Sequence, residues 1–410
     1  MNNRATILKP VEPGDRIQSL DILRGFAILG ILIMNIQSFA LIEAAYINPA
    51  AFGNLSGINK WAWIFSHIFG DQKFMTLFSL LYGAGIIMIT SRARETGRNE
   101  AAIHFRRTWW LLVIGMVHAY LLWHGDILVP YAICAVFVYF FRKISPRKLL
   151  IIGILIISIP SILYLLFGWS MQFWPPEGMT NLTKSWTPPA ESINQEISAF
   201  RGSWREQLGF RFPAAFAFQT FIFLIWSGWR VAGLMLIGMA IFQWGVLKAK
   251  QTHRFYQLMV LIGSSVGFPL IILGVLFNFN ANWALEYSMF LGWQFNYWGS
   301  LFVSAAYIGV IMLVWCFRSV GKLGRSLAAV GRTALSNYLL QTLICTHIFY
   351  GHGLGLFAKI ERANLLLVVM GIWIIELIIS PVWLTYFKFG PVEWLWRSLT
   401  YMKVQPMRHK

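Results

Sequence analysis

Charged residues are scarce in this chain of 410 residues: only 12% are Asp, Glu, Lys or Arg, whereas 57% are apolar. In soluble globular domains roughly a quarter of the residues are charged, so the composition excludes a soluble enzyme. Apolar runs of about 20 residues, each long enough to cross a bilayer, recur along the whole chain, and the mean hydropathy is +0.60. The sequence therefore predicts an integral membrane protein.

Cysteine is also rare. The three cysteines, Cys134, Cys316 and Cys345, lie within apolar runs, and none has the spacing of a metal site. We interpret them as packing residues and expect no metal. Residues 1–19 are polar, so we expect no cleavable signal peptide.

Acidic residues are outnumbered, with 16 Asp and Glu against 34 Lys and Arg. Such an excess of positive charge suggests nucleic acid in a soluble chain, but here the basic residues gather between apolar runs, and we expect no nucleic acid partner. Segments of this kind face the cytoplasm under the positive-inside rule. In alternate loops they are Arg92, Arg94, Arg98, Arg106, Arg107, Arg142, Lys143, Arg147, Lys148, Lys248, Lys250, Arg254, Arg318, Lys322, Arg325 and Arg332. At the termini they are Arg4, Lys9, Arg16, Arg397, Lys403, Arg408 and Lys410. Both termini are therefore expected in the cytoplasm, with an even number of helices between them.

The apolar runs predict an all-α, polytopic membrane protein with about ten transmembrane helices. The expected spans are residues 21–45, 73–91, 108–124, 127–141, 149–168, 218–247, 257–278, 295–317, 333–350 and 364–387. The longest loop, 169–217, separates an N-terminal membrane half, 1–168, from a C-terminal half, 218–410. Within it, apolar residues recur at helical spacing at Ile193, Ile197, Phe200, Trp204 and Leu208. This pattern predicts an amphipathic helix near the outer leaflet; a plain connector is the alternative.

Arg24 lies inside the first apolar run, three residues after Asp21 and eleven before Asn35. A guanidinium within a membrane span costs several kcal/mol, so it usually faces a bundle interior or a water-filled cavity. Glu376 lies within the last apolar run, and we expect this carboxylate to pair internally, with Arg24 or Arg230 as candidates. These residues mark the first place to look for function.

A second polar group surrounds the sequence His124-Gly125-Asp126, which is typical of a tight turn between two helices. His118 and His124 are six residues apart, so they point to faces about 120° apart on a helix and do not form a metal pair. Asp126 either caps the following helix or orients His124 or another nearby histidine.

A third group consists of His67, Asp71 and Lys73, just before an apolar run. Each is a candidate substrate-binding residue, and the alternative is that each is solvated at the membrane interface, with Lys73 snorkelling. On the basic side, Arg92, Arg94, Arg106 and Arg107 are able to bind phosphates; their alternative role is in topology and attraction to anionic lipid. The residue types alone leave these alternatives open.

Several long motifs carry a family resemblance: IQSLDILRGFA at 17–27, KFMTLFSLLYG at 73–83, LWHGDIL at 122–128, GRTALSNYLLQ at 331–341, FYG at 349–351 and FKFGPVEWLWR at 387–397. With them the chain resembles the YeiB family of bacterial inner-membrane proteins, over nearly its whole length. The last three motifs are similar to the C-terminal domain of unknown function of that family. The resemblance implies a multi-pass protein of the bacterial inner membrane.

The resemblance also implies a chemistry, because YeiB-like proteins are grouped with membrane acyltransferases that take an acyl group from cytoplasmic acyl-CoA. In the O-acyltransferases of that group the first helix carries an arginine that is followed, after ten intervening residues, by a histidine. Here Asn35 stands in the place of that histidine relative to Arg24, which resembles the heparan-acetylating branch. The resemblance then implies an acyltransferase-like core in 1–168. His124 with Asp126 would be the general base, and His118 or His67 the substitute.

In the same scheme, Arg24 and Asn35 would position the thioester or stabilise the oxyanion. The phosphates of acyl-CoA, with acetyl-CoA as the example, would bind Arg92, Arg94, Arg106 and Arg107. The acceptor would be an envelope or lipid-linked molecule.

Two other classes of function remain open. In a proton-coupled transporter or exporter, ionisable residues line a pathway; the candidates are Asp21, Arg24, Lys73, Asp126 and Glu376. A lipid-binding protein without turnover is the third possibility, compatible with 20 Trp and 33 Phe. Membrane lipids are expected partners in every case, and a homodimer is a further expectation.

Overall fold

The computed structural model describes residues 17–316 and 321–409, and within them the chain is helical, with no β-strand. The α-helices are α1 Gln18–Ala40, α2 Ala44–Ile47, α3 Gly57–Phe69, α4 Lys73–Glu95, α5 Glu100–Val117, α6 Leu128–Val138, α7 Pro146–Ser170, α8 Pro176–Trp186, α9 Ala190–Arg201, α10 Trp204–Ala217, α11 Gly228–Gln243, α12 His253–Asn280, α13 Leu285–Tyr287, α14 Trp293–Ile311, α15 Lys322–Arg332, α16 Ala334–Phe349, α17 Arg362–Tyr386 and α18 Pro391–Tyr401. Segments of π-helix occupy His118–Leu122, Phe218–Ser227, Ser288–Gly292 and Met312–Cys316. The predicted topology residues Arg4, Lys9, Arg16, Arg318 and Lys410, and the side chain of Cys316, lie outside the described residues.

Seven helical stretches of the described chain are long and apolar enough to cross a membrane, which confirms the all-α, multi-pass prediction. They are Gln18–Ala40, Gly57–Glu95, Pro146–Phe173, Trp204–Gln243, His253–Asn280, Leu285–Val314 and Arg362–Tyr386. The count of about ten spans is not confirmed. The other three predicted spans coincide with α5, α6 and α16, which have 18, 11 and 16 residues. The last two are shorter than a bilayer crossing requires, and α5 includes Arg106 and Arg107.

Helix α1 is the centre of the bundle. In its most apolar stretch 78% of the residues are buried within the protein, against 28% in α7, α12 and α17. Helices α4, α14, α15, α16 and α17 contact it. The outer helices therefore present apolar residues to lipid, whereas polar residues of α1 must find partners within the protein.

The contact between α1 and α15 depends on two glycines. A Cβ atom on Gly25 would overlap the carbonyl oxygen of Leu327, and one on Gly331 would overlap that of Asp21. Small residues of this kind allow two helix backbones to approach closely in membrane bundles. Because of this close approach, Arg24 of α1 and Arg332 of α15 both line one cavity at this end of the bundle.

The bundle end where α1 finishes is covered by connecting segments that hold one another. The amide of Asn48 donates to the carbonyl of Trp186 at 2.9 Å, and the indole of Trp186 donates to the carbonyl of Trp283 at 2.8 Å. The backbone N–H of Gly351 donates to the carbonyl of Phe200 at 2.9 Å. Because these residues come from four separate connections, the covered end behaves as one packed layer.

Residues 169–217 contain three helices rather than one. The helix expected over 193–208 is divided at Gly202: α9 ends at Arg201 and α10 begins at Trp204. Ser203 and Glu206 form a capping box that starts α10, and such a box satisfies backbone N–H groups at a helix start. Helix α10 then runs on through a π-helical segment into α11, as the single stretch Trp204–Gln243.

We expect Gly331→Ala to lower the thermal unfolding temperature in detergent, because the added methyl group forces α1 and α15 apart. Overpacking of this kind costs about 1–3 kcal/mol. The matched control is Gly371→Ala in α17, where a Cβ atom meets nothing within 4 Å. Equal unfolding temperatures for the two variants would show that the α1–α15 contact tolerates separation.

Candidate functional site

A cavity of about 990 Å³ lies at the bundle end where α1 begins. Its walls come from the start of α1, the second half of α4, and parts of α5, α6, α16 and α18. Glu95 and Thr96 line it and are exposed, so the cavity opens at the protein surface. At its other extreme it reaches Ile127, Tyr131 and Tyr338.

Basic side chains dominate the charge of this cavity. Its basic lining residues are Arg24, Arg92, Arg107, Lys248, Arg332, Lys388 and Arg397. The acidic ones are Asp21, Glu95 and Glu393. Asp21 already pairs with Arg24 at 3.0 Å, and Glu393 accepts hydrogen bonds from the backbone N–H groups of Leu335 and Ser336. The excess of positive charge makes an anion the expected ligand.

Aromatic rings hold two of these guanidinium groups in place. Arg107 lies over the ring of Trp396 at 3.7 Å, and Arg397 lies over Phe389 at 4.7 Å. The indole N–H of Trp396 also donates to the backbone carbonyl of Arg107 at 2.8 Å, which joins α18 to α5. Stacked guanidinium groups keep a fixed orientation that suits phosphate recognition.

Behind the inner end of the cavity lies a buried group of three side chains. His118 Nδ1 is 2.7 Å from Asp126 Oδ1, and His118 Nε2 is 2.9 Å from Thr342 Oγ1. All three side chains are buried. In the neutral tautomer with the proton on Nδ1, the imidazole donates to the carboxylate and Nε2 accepts from the threonine hydroxyl. The order carboxylate, imidazole, hydroxyl is that of a nucleophile with its base.

Asp126 combines both of its predicted roles. One carboxylate oxygen orients His118, and the other accepts a hydrogen bond at 2.7 Å from the backbone N–H of Val129 in the first turn of α6. The chain reverses between the π-helix His118–Leu122 and α6, so Asp126 returns against the end of α5. For that reason the structure brings Asp126 to His118 and not to His124.

Tyr338 connects the cavity to the buried group. It lines the cavity, its hydroxyl accepts a hydrogen bond from the N–H of Ile127 at 3.3 Å, and its ring centre is 5.0 Å from that of His118. Tyr338 and Ile127 therefore form a wall shared by the cavity and the His118–Asp126 pair.

His124 has different surroundings. It is 9% exposed, and its Nδ1 has no hydrogen-bond partner among the described residues. Burial, with the Arg211 charge nearby, lowers the pKa of His124 to about 4. An imidazole with so low a pKa is a weak base at neutral pH. The contact with Asp126 belongs to His118 instead, which makes His118 the stronger candidate.

His67, Asp71 and Lys73 do come together, with Asn296 as a fourth member. The Lys73 ammonium donates to Asn296 Oδ1 and to the carbonyl of His67, both at 2.6 Å. Asp71 Oδ2 accepts from Asn296 Nδ2 at 2.8 Å and lies 3.1 Å from His67 Nδ1. Lys73 is fully buried, so the alternative of a snorkelling lysine is wrong. None of the four lines the basic cavity.

Glu376 is buried, but the prediction that it pairs with Arg24 or Arg230 is wrong. Its Oε2 accepts a hydrogen bond from Gln341 Nε2 at 3.0 Å, and its Oε1 has no partner among the described residues. Arg24 pairs with Asp21 instead. Arg230 donates to the carbonyl of Tyr297 at 3.1 Å and to two hydroxyl groups. Both arginines are thus engaged elsewhere.

The predicted phosphate ligands divide into two pairs. Arg92 and Arg107 line the cavity. Arg94 pairs with Glu100 at 3.0 Å on the surface, and Arg106 donates to the sulfur of Met402 at 2.9 Å. Asn35 is half-buried and is not a lining residue. Eleven residues of helix place it about 16 Å along α1 from Arg24.

Sequence reasoning missed five residues of this region. They are Lys248, Arg332, Thr342, Lys388 and Arg397. The sequence indicates only a role in topology for Lys248, Arg332 and Arg397. It shows their charge, but it does not show that they lie around one cavity. Thr342 and Lys388 gave no separate signal, since a threonine in an apolar helix usually bonds to its own backbone.

Comparison with known proteins identifies the family of this chain. Over 402 residues the chain is 34% identical to the uncharacterized protein YeiB of Escherichia coli (strain K12), covering 96% of this chain and 98% of the relative. The chain belongs to the YeiB family. It is also 29% identical over 420 residues to the uncharacterized protein YxaH of Bacillus subtilis (strain 168), covering 98% of each. No solved structure matches the chain.

The family described as "Protein of unknown function (DUF418)" matches residues 241–403. Thr342, Lys388 and Arg397 of this YeiB-family protein fall within that region, whereas His118 and Asp126 precede it. The cavity and the buried group are therefore assembled from both parts of the chain.

We expect Glu376→Gln to unfold at or above the wild-type temperature, because a neutral amide keeps the contact with Gln341 and no cation loses its partner. Glu376→Leu is the matched comparison: it leaves a donor hydrogen of Gln341 unpaired at a cost of about 1–3 kcal/mol. Thermal unfolding in detergent measures both. A Gln variant as unstable as the Leu variant would reveal an ion pair at Glu376.

Proposed function

We propose that this protein is a membrane acyltransferase that moves an acyl group from acyl-CoA to an envelope or lipid-linked acceptor. The observation that carries the proposal is a basic cavity whose inner wall is shared with a buried His118–Asp126 pair. In this proposal the basic end faces the cytoplasm of a bacterial inner membrane, since basic segments stay on that side. Both termini would lie there too.

The cavity suits a coenzyme A thioester for reasons of charge and size. Coenzyme A carries phosphates at one end and an uncharged pantetheine arm at the other. Arg92 near the exposed mouth and the stacked Arg107 supply guanidinium groups, which bind phosphate through two hydrogen bonds at once. A volume of about 990 Å³ is at the large end of ligand pockets. The acyl end would point toward Tyr338.

The His118–Asp126 pair supplies the base. An imidazole is matched to proton transfer near neutral pH, and Asp126 fixes its tautomer and stabilises the imidazolium that forms. The cavity offers Arg24 as a cation for the thioester end, whereas Asn35 lies too far along α1 to act with it. No metal is needed for this chemistry.

Donor binding tests the cavity. We expect Arg107→Gln to weaken binding of desulfo-CoA and acetyl-CoA by about tenfold or more, since a hydrogen bond to a charged group contributes about 1.5–3 kcal/mol. Arg106→Gln is the matched control, because Arg106 is the neighbouring residue and contacts Met402 outside the cavity. Isothermal titration of the purified protein measures the Kd. Equal weakening by both variants, or no binding to the wild type, would contradict the proposed donor site.

Transfer itself tests the base. We expect His118→Ala to lower incorporation of labelled acetyl groups from acetyl-CoA into membrane material by about 10²–10⁴-fold, the contribution typical of a general base. His124→Ala should keep most of the activity, because Asp126 does not contact it. Gel filtration of both variants checks folding. A folded His118→Ala variant with full activity would exclude this histidine.

Proton-coupled transport is a second candidate, favoured by one observation. Glu376 is buried in a membrane helix without a cation, and such a carboxyl group can take up and release a proton during transport. The Glu376→Gln variant separates the two functions, since it would stop transport and leave acyl transfer intact.

A further inference from the structure

We infer that Thr342 is the nucleophile of this protein and carries the acyl group as an ester between donor and acceptor. The inference rests on the proposed function, because it requires an acyl thioester in the basic cavity. It turns the proposed reaction into two transfers instead of one.

The contacts of His118 lead to this residue. With Nδ1 held by Asp126 at 2.7 Å, the base is Nε2, and Nε2 lies 2.9 Å from the hydroxyl of Thr342. A general base must be within hydrogen-bond reach of the proton that it removes. The hydroxyl also donates to the carbonyl of Tyr338 at 3.3 Å, the longer of its two contacts, and it turns toward Nε2 when it gives up its proton. The proton available to His118 is therefore that of Thr342.

The position of Thr342 on α16 supports the same role. Tyr338 of the cavity wall precedes it by one helical turn, about 6 Å along the axis. The hydroxyl is thus directly behind the wall that the donor would meet, and the reaction requires the Tyr338 side chain to rotate away from Ile127. Burial of the group excludes water, which protects a threonine ester from hydrolysis.

An ester on Thr342 also shortens the distance between the acyl group and an acceptor on the opposite side. The cavity ends at Ile127 and Tyr338, and the opposite end of the bundle is covered by the packed connections around Asn48 and Trp186. Coenzyme A bound at the basic end therefore does not reach an acceptor on the opposite side. An acyl group on Thr342 is already past the wall of Tyr338 and Ile127, so the acceptor has to reach only this small group in the interior.

Both steps balance without an oxidant or a metal. In the first, Thr342 Oγ attacks the thioester carbonyl carbon while its proton passes to His118 Nε2. The carbon–sulfur bond breaks, and the leaving thiolate takes the proton from the imidazolium to give free coenzyme A. In the second, an acceptor hydroxyl or amine attacks the ester, its proton passes through His118, and Thr342 leaves with its hydroxyl restored.

Isotope exchange tests the inference without knowledge of the acceptor. Purified protein is incubated with acetyl-CoA and labelled coenzyme A, and label entering acetyl-CoA is measured. Exchange without acceptor requires an acyl-enzyme, so we expect it for the wild type and for Thr342→Ser. We expect its loss in Thr342→Val. The matched control is Thr346→Val, which removes a buried threonine hydroxyl one turn further along α16, bonded to the carbonyl of Leu343, and should exchange normally.

Donor affinity and the site of the label separate the possible failures. Acetyl-CoA binding is measured on every variant, and acid-quenched protein is digested to find the acetylated peptide, which should contain Thr342. Absence of binding in the wild type overturns the proposed function and this inference with it. Binding without exchange, exchange that survives in Thr342→Val, or label on another residue overturns the nucleophile alone.

Discussion

Burial of ionisable side chains inside an apolar bundle is the constraint on which the rest of this structure depends. Lipid offers no partner for a charge or an unpaired polar group, so such residues are stabilised by partners within the protein. Lys73 donates to Asn296 and to a backbone carbonyl. His118 contacts Asp126 and Thr342. Since the partners come from distant helices, these contacts also determine which helices are neighbours.

In the basic cavity, charged side chains do not all need a partner within the protein. Its cations come from six segments of the chain and lie around a space open to the surface, so water or an anion can satisfy them. Like charges repel one another, so a bound anion would stabilise the arrangement. The glycine contact between α1 and α15 contributes here, because it brings Arg24 and Arg332 to the same space. The cavity is therefore suited to an anionic ligand.

Local patterns predicted much of the fold. The start of α4 at Lys73 and the bounds of α16 follow from where an apolar run begins and ends. His67, Asp71 and Lys73 were grouped correctly because they are close in sequence. The partner of Asp126 was predicted only as one of several histidines, since the direction of a side chain at a turn depends on how the chain reverses.

Contacts between distant residues could not be predicted in this way. Glu376 was expected beside an arginine on grounds of charge, but Gln341, a polar residue with no charge, is its neighbour. Lys248, Arg332 and Lys388 are separated from Arg24 by more than two hundred residues, and hydropathy says nothing about which helix ends meet. The role of Thr342 could not be predicted for the same reason, because it depends on the contact with His118, which is distant in the sequence.

The arrangement of these parts constrains any chemistry that the protein performs. A basic cavity open to the surface and a buried His–Asp pair meet at a wall formed by Tyr338 and Ile127. Electrostatic interactions are stronger on the dry side, where the dielectric constant is low, while the charged ligand stays on the wet side. A ligand with a polyanionic head and a long uncharged arm is the kind that satisfies both environments at once. In the proposed reaction the reactive end of such a ligand is the part that meets this wall, so the residue there, rather than the residues that would hold the phosphates, decides what reaction follows.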